Sequence, residues 1–230
     1  MKRIGLLGGM SWESSAEYYR LLNEGVRRRL GGYHSADLVM ISPDFAPLER
    51  MQREERWNDA AEVLISAARA CEAAGAQCLL LATNTMHLVF DRLESATTAP
   101  WIHIADPTAR AAKHQGVHVV GVLGTAFTME RPFYRRRLSE RFGLEVVVPD
   151  EPDRQLVHRV IFDELVHGVI KDGSRAAFAR VAGRLVDAGA QAIILGCTEI
   201  GMLMREEDVP VPMLDTTVLH VEAAVDYALG

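Results

Sequence analysis

The chain has 230 residues, 49% of them apolar and 24% charged, a balance that suits one large or two small globular domains with a full hydrophobic core. A net charge of −6 argues against a nucleic-acid or anionic-membrane partner, and the clusters Arg27-Arg28-Arg29 and Arg135-Arg136-Arg137 read as solvated helix faces. Three unevenly spaced cysteines suit free thiols in a reducing compartment, and no stretch has the length of a signal core or a membrane span, so a cytoplasmic protein is expected.

In chain order, residues 4–7 read as a strand and Gly8-Gly9-Met10-Ser11-Trp12 as the turn into a helix through about Arg29, capped by Ser11 or by a Ser14/Glu17 box. A strand at 38–41 follows, then a loop at 42–49 holding Pro43 and Pro47, a helix at 58–74, a strand at 78–82, a helix at 86–94 and a strand at 102–104. The second half repeats the scheme: a strand at 118–123, a helix at 127–141, a strand at 145–148, two helices, a strand at 192–195, a short helix, a strand at 212–214 and a helix at 219–229. Strands alternating with helices predict an α/β fold of parallel sheets with helices on both faces. The chain is expected to form two domains, 1–99 with 210–230 and 100–209, the cuts falling near Pro100 and Pro210.

The two halves echo each other. Gly75 to Asn84 reads GAQCLLLATN and Gly189 to Thr198 reads GAQAIILGCT, so Thr83 stands where Cys197 stands at an offset of 197 − 83 = 114. IGLLG from Ile4 matches VGVLG from Val120 at 116, and a weaker echo relates Ile104-Ala105-Asp106-Pro107-Thr108 to Met213-Leu214-Asp215-Thr216-Thr217 at 109. The expected architecture is therefore two pseudo-symmetric α/β domains, each offering one strand-tip residue to a cleft between them. Cys197 would sit at the carboxyl end of a buried strand, with Thr198 and Glu199 opening a helix whose N-terminus favours a thiolate. A small buried hydrophobe is the other reading of this cysteine.

Other chemistries fit poorly. The Gly8-Gly9 turn lacks the G-x-G-x-x-G spacing and the acidic residue of a dinucleotide site, although the N–H groups of Met10 and Ser11 could hold a small carboxylate. The eight histidines show no metal-ligand spacing, so no metal is expected. There is no G-x-S-x-G and no marked base for Cys197; His87, four residues past Thr83, is either a partner or a histidine satisfied beneath the loop. Two facing strand tips can invert a stereocentre, one removing a proton and the other delivering one to the opposite face, with Ser11, Asn84, Thr85 and Thr198 as donors to a substrate carboxylate.

The segments Gly8-Gly9-Met10-Ser11-Trp12, Thr83-Asn84-Thr85-Met86-His87, Gly124-Thr125-Ala126-Phe127-Thr128-Met129 and Gly196-Cys197-Thr198-Glu199 together resemble the aspartate/glutamate racemase family across essentially the whole chain. The resemblance implies an amino-acid racemase that works without PLP, has two α/β domains and forms a homodimer. It is closest to the branch with broad or L-aspartate/glutamate specificity. By the same resemblance Cys197 and Thr83 take the catalytic positions, Thr83 replacing the family's usual first cysteine. Met10, Ser11, Gln52, Asn84, Thr85, Thr125, Thr198 and Glu199 take substrate contacts, and Arg50 is similar to an arginine that grips a substrate carboxylate. A basic contact of some relatives falls near Glu164-Leu165-Val166, where no lysine stands, so strict acidic specificity is not implied. A lone cysteine also resembles arylmalonate decarboxylase, and a non-catalytic binder of small carboxylates is the alternative of another class.

Overall fold

The computed structural model describes residues 1–230. The chain divides into two compact units, Met1–Ile104 with His220–Gly230, and Ala105–Leu219. In the first lie β1 (Ile4–Leu7), α1 (Trp12–Leu30), β2 (Leu38–Ile41), α2 (Phe45–Arg53), α3 (Trp57–Ala73), β3 (Cys78–Leu81), α4 (Phe90–Ser95) and β4 (Trp101–Ile102). The second holds α5 (Ala105–His114), β5 (Val119–Gly124), α6 (Ala126–Glu130), α7 (Pro132–Phe142), β6 (Glu145–Val147), α8 (Glu151–Asp163), α9 (Asp172–Asp187), β7 (Ala192–Gly196), α10 (Ile200–Leu203) and β8 (Met213–Asp215). The last helix, α11 (Thr216–Leu229), starts in the second unit and ends in the first.

Each unit has one four-stranded parallel sheet, ordered β2-β1-β3-β4 and β6-β5-β7-β8. The central strands are buried along their whole length, as parallel strands covered on both faces must be. Alternation assigns the faces. Ile4, Leu6, Cys78 and Leu80 pack with Tyr18, Leu22 and Val26 of α1 and with Val221, Ala224 and Val225 of α11. Leu7, Leu79 and Leu81 pack on the other side with Ala61, Leu64 and Ala68 of α3. In the second unit Phe178, Val181 and Leu185 of α9 and Val157 and Ile161 of α8 cover Ile193 and Leu195. This is the α/β architecture that the strand and helix rhythm predicts.

The repeat is carried by the register. Ile4 pairs with Cys78 and Val120 pairs with Ala192, so the offsets 120 − 4 = 116 and 192 − 78 = 114 are those of the sequence echoes. The weakest echo is not an equivalence. Trp101 and Met213 occupy matching registers beside Leu79 and Ile193, an offset of 213 − 101 = 112 rather than 109, and Ala105 to Thr108 belong to α5. Both fourth strands stay with their own sheets, so the crossings come after them, following Ile104 and Leu219, 104 − 100 = 4 residues beyond Pro100 and 219 − 210 = 9 beyond Pro210.

Three local expectations change. Residues 45–53, expected as loop up to Glu49, form α2, because Asp44 caps it through Ala46 N–H at 3.2 Å and Pro47 lies in the first turn, where no N–H is required. The helix expected at 127–141 is two, broken at Arg131, which is extended ahead of Pro132. Residues 86–94 divide into a 3-10 turn, Thr85–Val89, and α4. The first cap is settled in favour of Ser11, whose hydroxyl accepts from Ser14 N–H at 3.3 Å.

Candidate active site

In the first unit the functional side chains gather at the carboxyl ends of adjacent strands. β1 runs into Gly8–Ser11 and β3 into Thr83–Thr85; Leu7 and Leu81 are paired, so the two loops leave the sheet side by side. Met10, Ser11, Gln52, Thr83, Asn84 and Thr85 are all buried. Gln52 reaches from α2 to donate to Met86 Sδ at 3.2 Å, which fixes α2 against the 3-10 turn. Arg50, one turn from the end of the same helix, is exposed and makes no ion pair, whereas Arg53 pairs with Glu49 at 3.8 Å.

His87 holds the Thr83 loop from beneath. Its Nδ1 lies 2.7 Å from the Thr83 carbonyl oxygen and its Nε2 accepts from Ile104 N–H at 3.3 Å. A carbonyl can only accept and an N–H can only donate, so the ring is neutral with its proton on Nδ1. Both nitrogens being held by backbone, His87 anchors Thr83 rather than taking its proton, which favours the satisfied-histidine reading. His103 lies against it, ring centres 4.3 Å apart. His220 bridges Tyr18 Oη at 2.8 Å and the Ile102 carbonyl at 2.7 Å.

The second unit repeats the arrangement with different chemistry. β5 ends at Gly124 and runs into Thr125, β7 ends at Gly196 and runs into Cys197, and Gly124 pairs with Gly196. The strand tips approach so closely that a Cβ on Gly124 would stand 2.8 Å from the Gly196 carbonyl oxygen, so glycine is required there. Thr125 caps α6 by accepting from Thr128 N–H at 3.3 Å. His158, half-buried on α8 and unmarked by any sequence signal, accepts from Ala126 N–H through Nδ1 at 3.2 Å, and burial lowers its affinity for a second proton.

Cys197 itself is partly exposed, and its thiol donates to Oε2 of Glu199 at 2.9 Å. The same oxygen accepts from the Thr198 hydroxyl at 2.7 Å, and Glu199 is only 2% exposed. Burial, and after it the neighbouring Glu199 carboxylate, push the thiol well above its ordinary value. The shift runs opposite to the lowering that a helix N-terminus at this position suggests from sequence. α10 has only four residues and begins after Glu199, so its dipole is too small to offset burial beside a carboxylate. Sequence reasoning offers His87 as the candidate partner; the hydrogen bond the thiol makes is to a carboxylate two residues on, brought round by the turn.

Of the residues singled out in the sequence, the fold brings together Met10, Ser11, Gln52, Thr83, Asn84 and Thr85 at one sheet edge, and Thr125, Cys197, Thr198 and Glu199 at the matching edge of the other sheet. Arg50 is the one left on the surface. No group of three His, Cys, Asp or Glu side chains is placed to hold a metal ion, and no helix is long and apolar enough to cross a membrane.

Comparison with known proteins gives the same frame. A candidate Asp/Glu racemase from Yersinia pestis superposes with a TM-score of 0.92 at 48% identity, and an aspartate racemase homologue from Pyrococcus horikoshii with 0.85 at 35%, each over 100% of both chains. The broad-specificity amino-acid racemase RacX of Bacillus subtilis is 22% identical over 233 residues, covering 99% of this chain and 98% of its own. The sequence model described as Asp/Glu/Hydantoin racemase matches residues 7–224. The chain belongs to the Asp/Glu/hydantoin racemase family.

Proposed function

We propose that this protein is a cofactor-independent amino-acid racemase that interconverts L- and D-amino acids by proton transfer at Cα, Cys197 acting on one face and Thr83 on the other. The observation that carries the assignment of roles is the shared register of the two sheets, which makes Thr83 and Cys197 equivalent strand-tip residues, each followed by buried polar side chains. Buried hydroxyls and amides at Ser11, Asn84, Thr85, Thr125 and Thr198 suit a substrate α-carboxylate and the charge that develops as Cα loses its proton. Arg50, unpaired, is available to a side-chain carboxylate, which supports aspartate and glutamate among the substrates; it is one contact, and a range wider than acidic side chains is equally served. Neither tip carries a lysine for a Schiff base, in keeping with a reaction that needs no PLP.

The reading extends to a cytoplasmic homodimer. Three free cysteines, two of them buried, favour a reducing compartment. Trp12 and Tyr19, seven residues apart on one stripe of α1, together with Tyr33, expose apolar surface of the kind a second subunit covers. The experiment for the activity is a panel of L- and D-amino acids in D2O without added cofactor, followed by NMR. The expected result is loss of the Cα proton together with appearance of the other enantiomer. Carbon dioxide release from a malonate, or binding with no deuterium entering the ligand, overturns the reading.

A further inference from the structure

Resting on the reading of Thr125 as a substrate contact, the turn that carries this residue has a support that the reaction itself does not use. Thr125 leaves β5 at Gly124 and caps α6, whose first residue, Ala126, has a backbone N–H with no carbonyl of its own helix to receive it. A side chain from another element takes it: Nδ1 of His158, on α8, accepts at 3.2 Å. Aromatic neighbours on two helices hold the ring, Phe162 with ring centres 4.7 Å apart and Phe127 with centres 6.0 Å apart. The turn is seated against both strand tips, since a Cβ on Gly124 would stand 3.2 Å from Thr128 Cβ and one on Gly196 would stand 3.5 Å from Thr128 Cγ2. A shift of Ala126 therefore displaces Thr125 beside the tip that bears Cys197.

We propose that His158 is a positioning residue for the Thr125–Ala126 turn, fixing it in the shape that receives the substrate carboxylate, and that it does so only while Nδ1 carries no proton. An acceptor at Nδ1 places the single proton of the neutral ring on Nε2. A second proton has to enter at Nδ1 itself, where donor would meet donor and the bond to Ala126 would be lost. The usual acceptors for the first N–H groups of a helix, Ser, Thr, Asn and Asp, keep their lone pairs across the neutral range, whereas an imidazole gives its own up.

Burial lowers the affinity of the ring for that proton, and Glu130 on α6 and Asp163 on α8 act the other way without offsetting it. Arg154, one turn earlier on α8, pairs with Glu130 at 3.0 Å. Of the other elements packed on α8, β5 has no ionisable side chain, the turn Leu165–His167 brings the exposed His167, and α9 brings Arg184, which is paired with Asp153 at 2.6 Å. The bond to Ala126 is thus complete above the ordinary histidine value of about 6.5 and is lost as pH falls through the lower value that burial imposes.

The test follows the Ala126 amide and the His158 ring by NMR through one pH titration, with KM and kcat measured over the same range. The two resonances should move together at a pH below about 6.5. KM should rise about three- to tenfold through that same pH, the worth of one hydrogen bond, while kcat changes less. His158→Asn puts Oδ1 where Nδ1 stands, an acceptor that takes no proton, and should keep the neutral-pH KM and abolish its rise in acid. His158→Leu fills the slot between the two phenylalanines without an acceptor and should show the raised KM at every pH. A role in packing alone would neither separate the two variants nor tie the step in KM to the ring. An Ala126 amide that stays unmoved while the ring titrates overturns the proposal, as does a neutral-pH KM that is the same in His158→Asn and His158→Leu. Should His158→Leu not fold, the wild-type titration decides; should acid unfold the protein before the ring titrates, the two variants compared at neutral pH decide. Protein that moves no Cα proton fails the racemase reading, and the amide titration, which needs no turnover, still judges the positioning of the turn.

Discussion

At the scale of the residue, the three cysteines show how surroundings divide one side chain into two roles. Cys71 and Cys78 are buried among apolar neighbours, which push both thiols up to about 11, and they serve as small core residues. Cys197 is also raised, but its proton points at a carboxylate and its sulfur is partly exposed. Replacing it by serine keeps nearly the same volume and leaves a hydroxyl that can donate to Glu199 as the thiol does, so the fold should hold. The hydroxyl titrates far above a thiol and is a much poorer base. Cys197→Ser should therefore lower kcat by about 10²- to 10⁴-fold while the melting temperature stays within a few degrees of wild type. Near-normal turnover in a well-folded variant would remove Cys197 from the chemistry. The place of this residue is legible in the sequence because the GAQ repeat marks the strand tip. Its ionisation is not, because burial and the turn that carries Glu199 back to the sulfur are properties of the folded chain.

At the scale of the element, glycine decides where strands approach and where they do not. Gly124 and Gly196 face each other across the β5–β7 pair, and the atom that a Cβ would meet is backbone, which cannot rotate away. Gly124→Ala should cost about 1–3 kcal/mol and, by displacing the tip that bears Cys197, lower turnover beyond what the stability loss explains. Gly183, within α9, has nothing within 4 Å of its Cβ position, so Gly183→Ala should stabilise by about 0.5–1 kcal/mol through helix propensity alone. Denaturant midpoints and turnover measured on both variants check the contrast, and equal stability changes of one sign would refute it. The sequence distinguishes these glycines only in part: the flanking apolar run identifies Gly196 as a strand end, but no local signal says which neighbour closes on it. The helices missed or misjoined have the same cause. Pro47 reads as a loop residue until Asp44 is seen to cap a helix around it, and the break at Arg131 needs the backbone geometry ahead of Pro132. The central strands, by contrast, are legible almost to the residue, because buried parallel strands are continuous apolar runs bounded by glycine, whereas β4, expected at 102–104, is found at Trp101–Ile102.

At the scale of the whole molecule, two units of one topology present unlike groups at equivalent positions, and the roles proposed for Cys197 and Thr83 then make the two directions of the reaction unequal. When Cys197 takes the proton, the Thr83 side need only donate one, directly or through water. When the other enantiomer binds, the Thr83 side must accept a proton, and His87, with both ring nitrogens engaged by backbone, is not placed to take it from the hydroxyl. One direction should therefore show a kcat larger by about tenfold or more. The equilibrium between free enantiomers is close to unity, and the ratio of the two kcat/KM values must equal it, so the slower direction must also have the lower KM by the same factor. Thr83→Cys gives both units a thiol and should bring the two kcat values, and with them the two KM values, closer together. Initial rates followed from each pure enantiomer by polarimetry measure all four constants. Equal kcat values in the unmodified protein, unchanged by Thr83→Cys, would show that the second proton passes through some group other than Thr83.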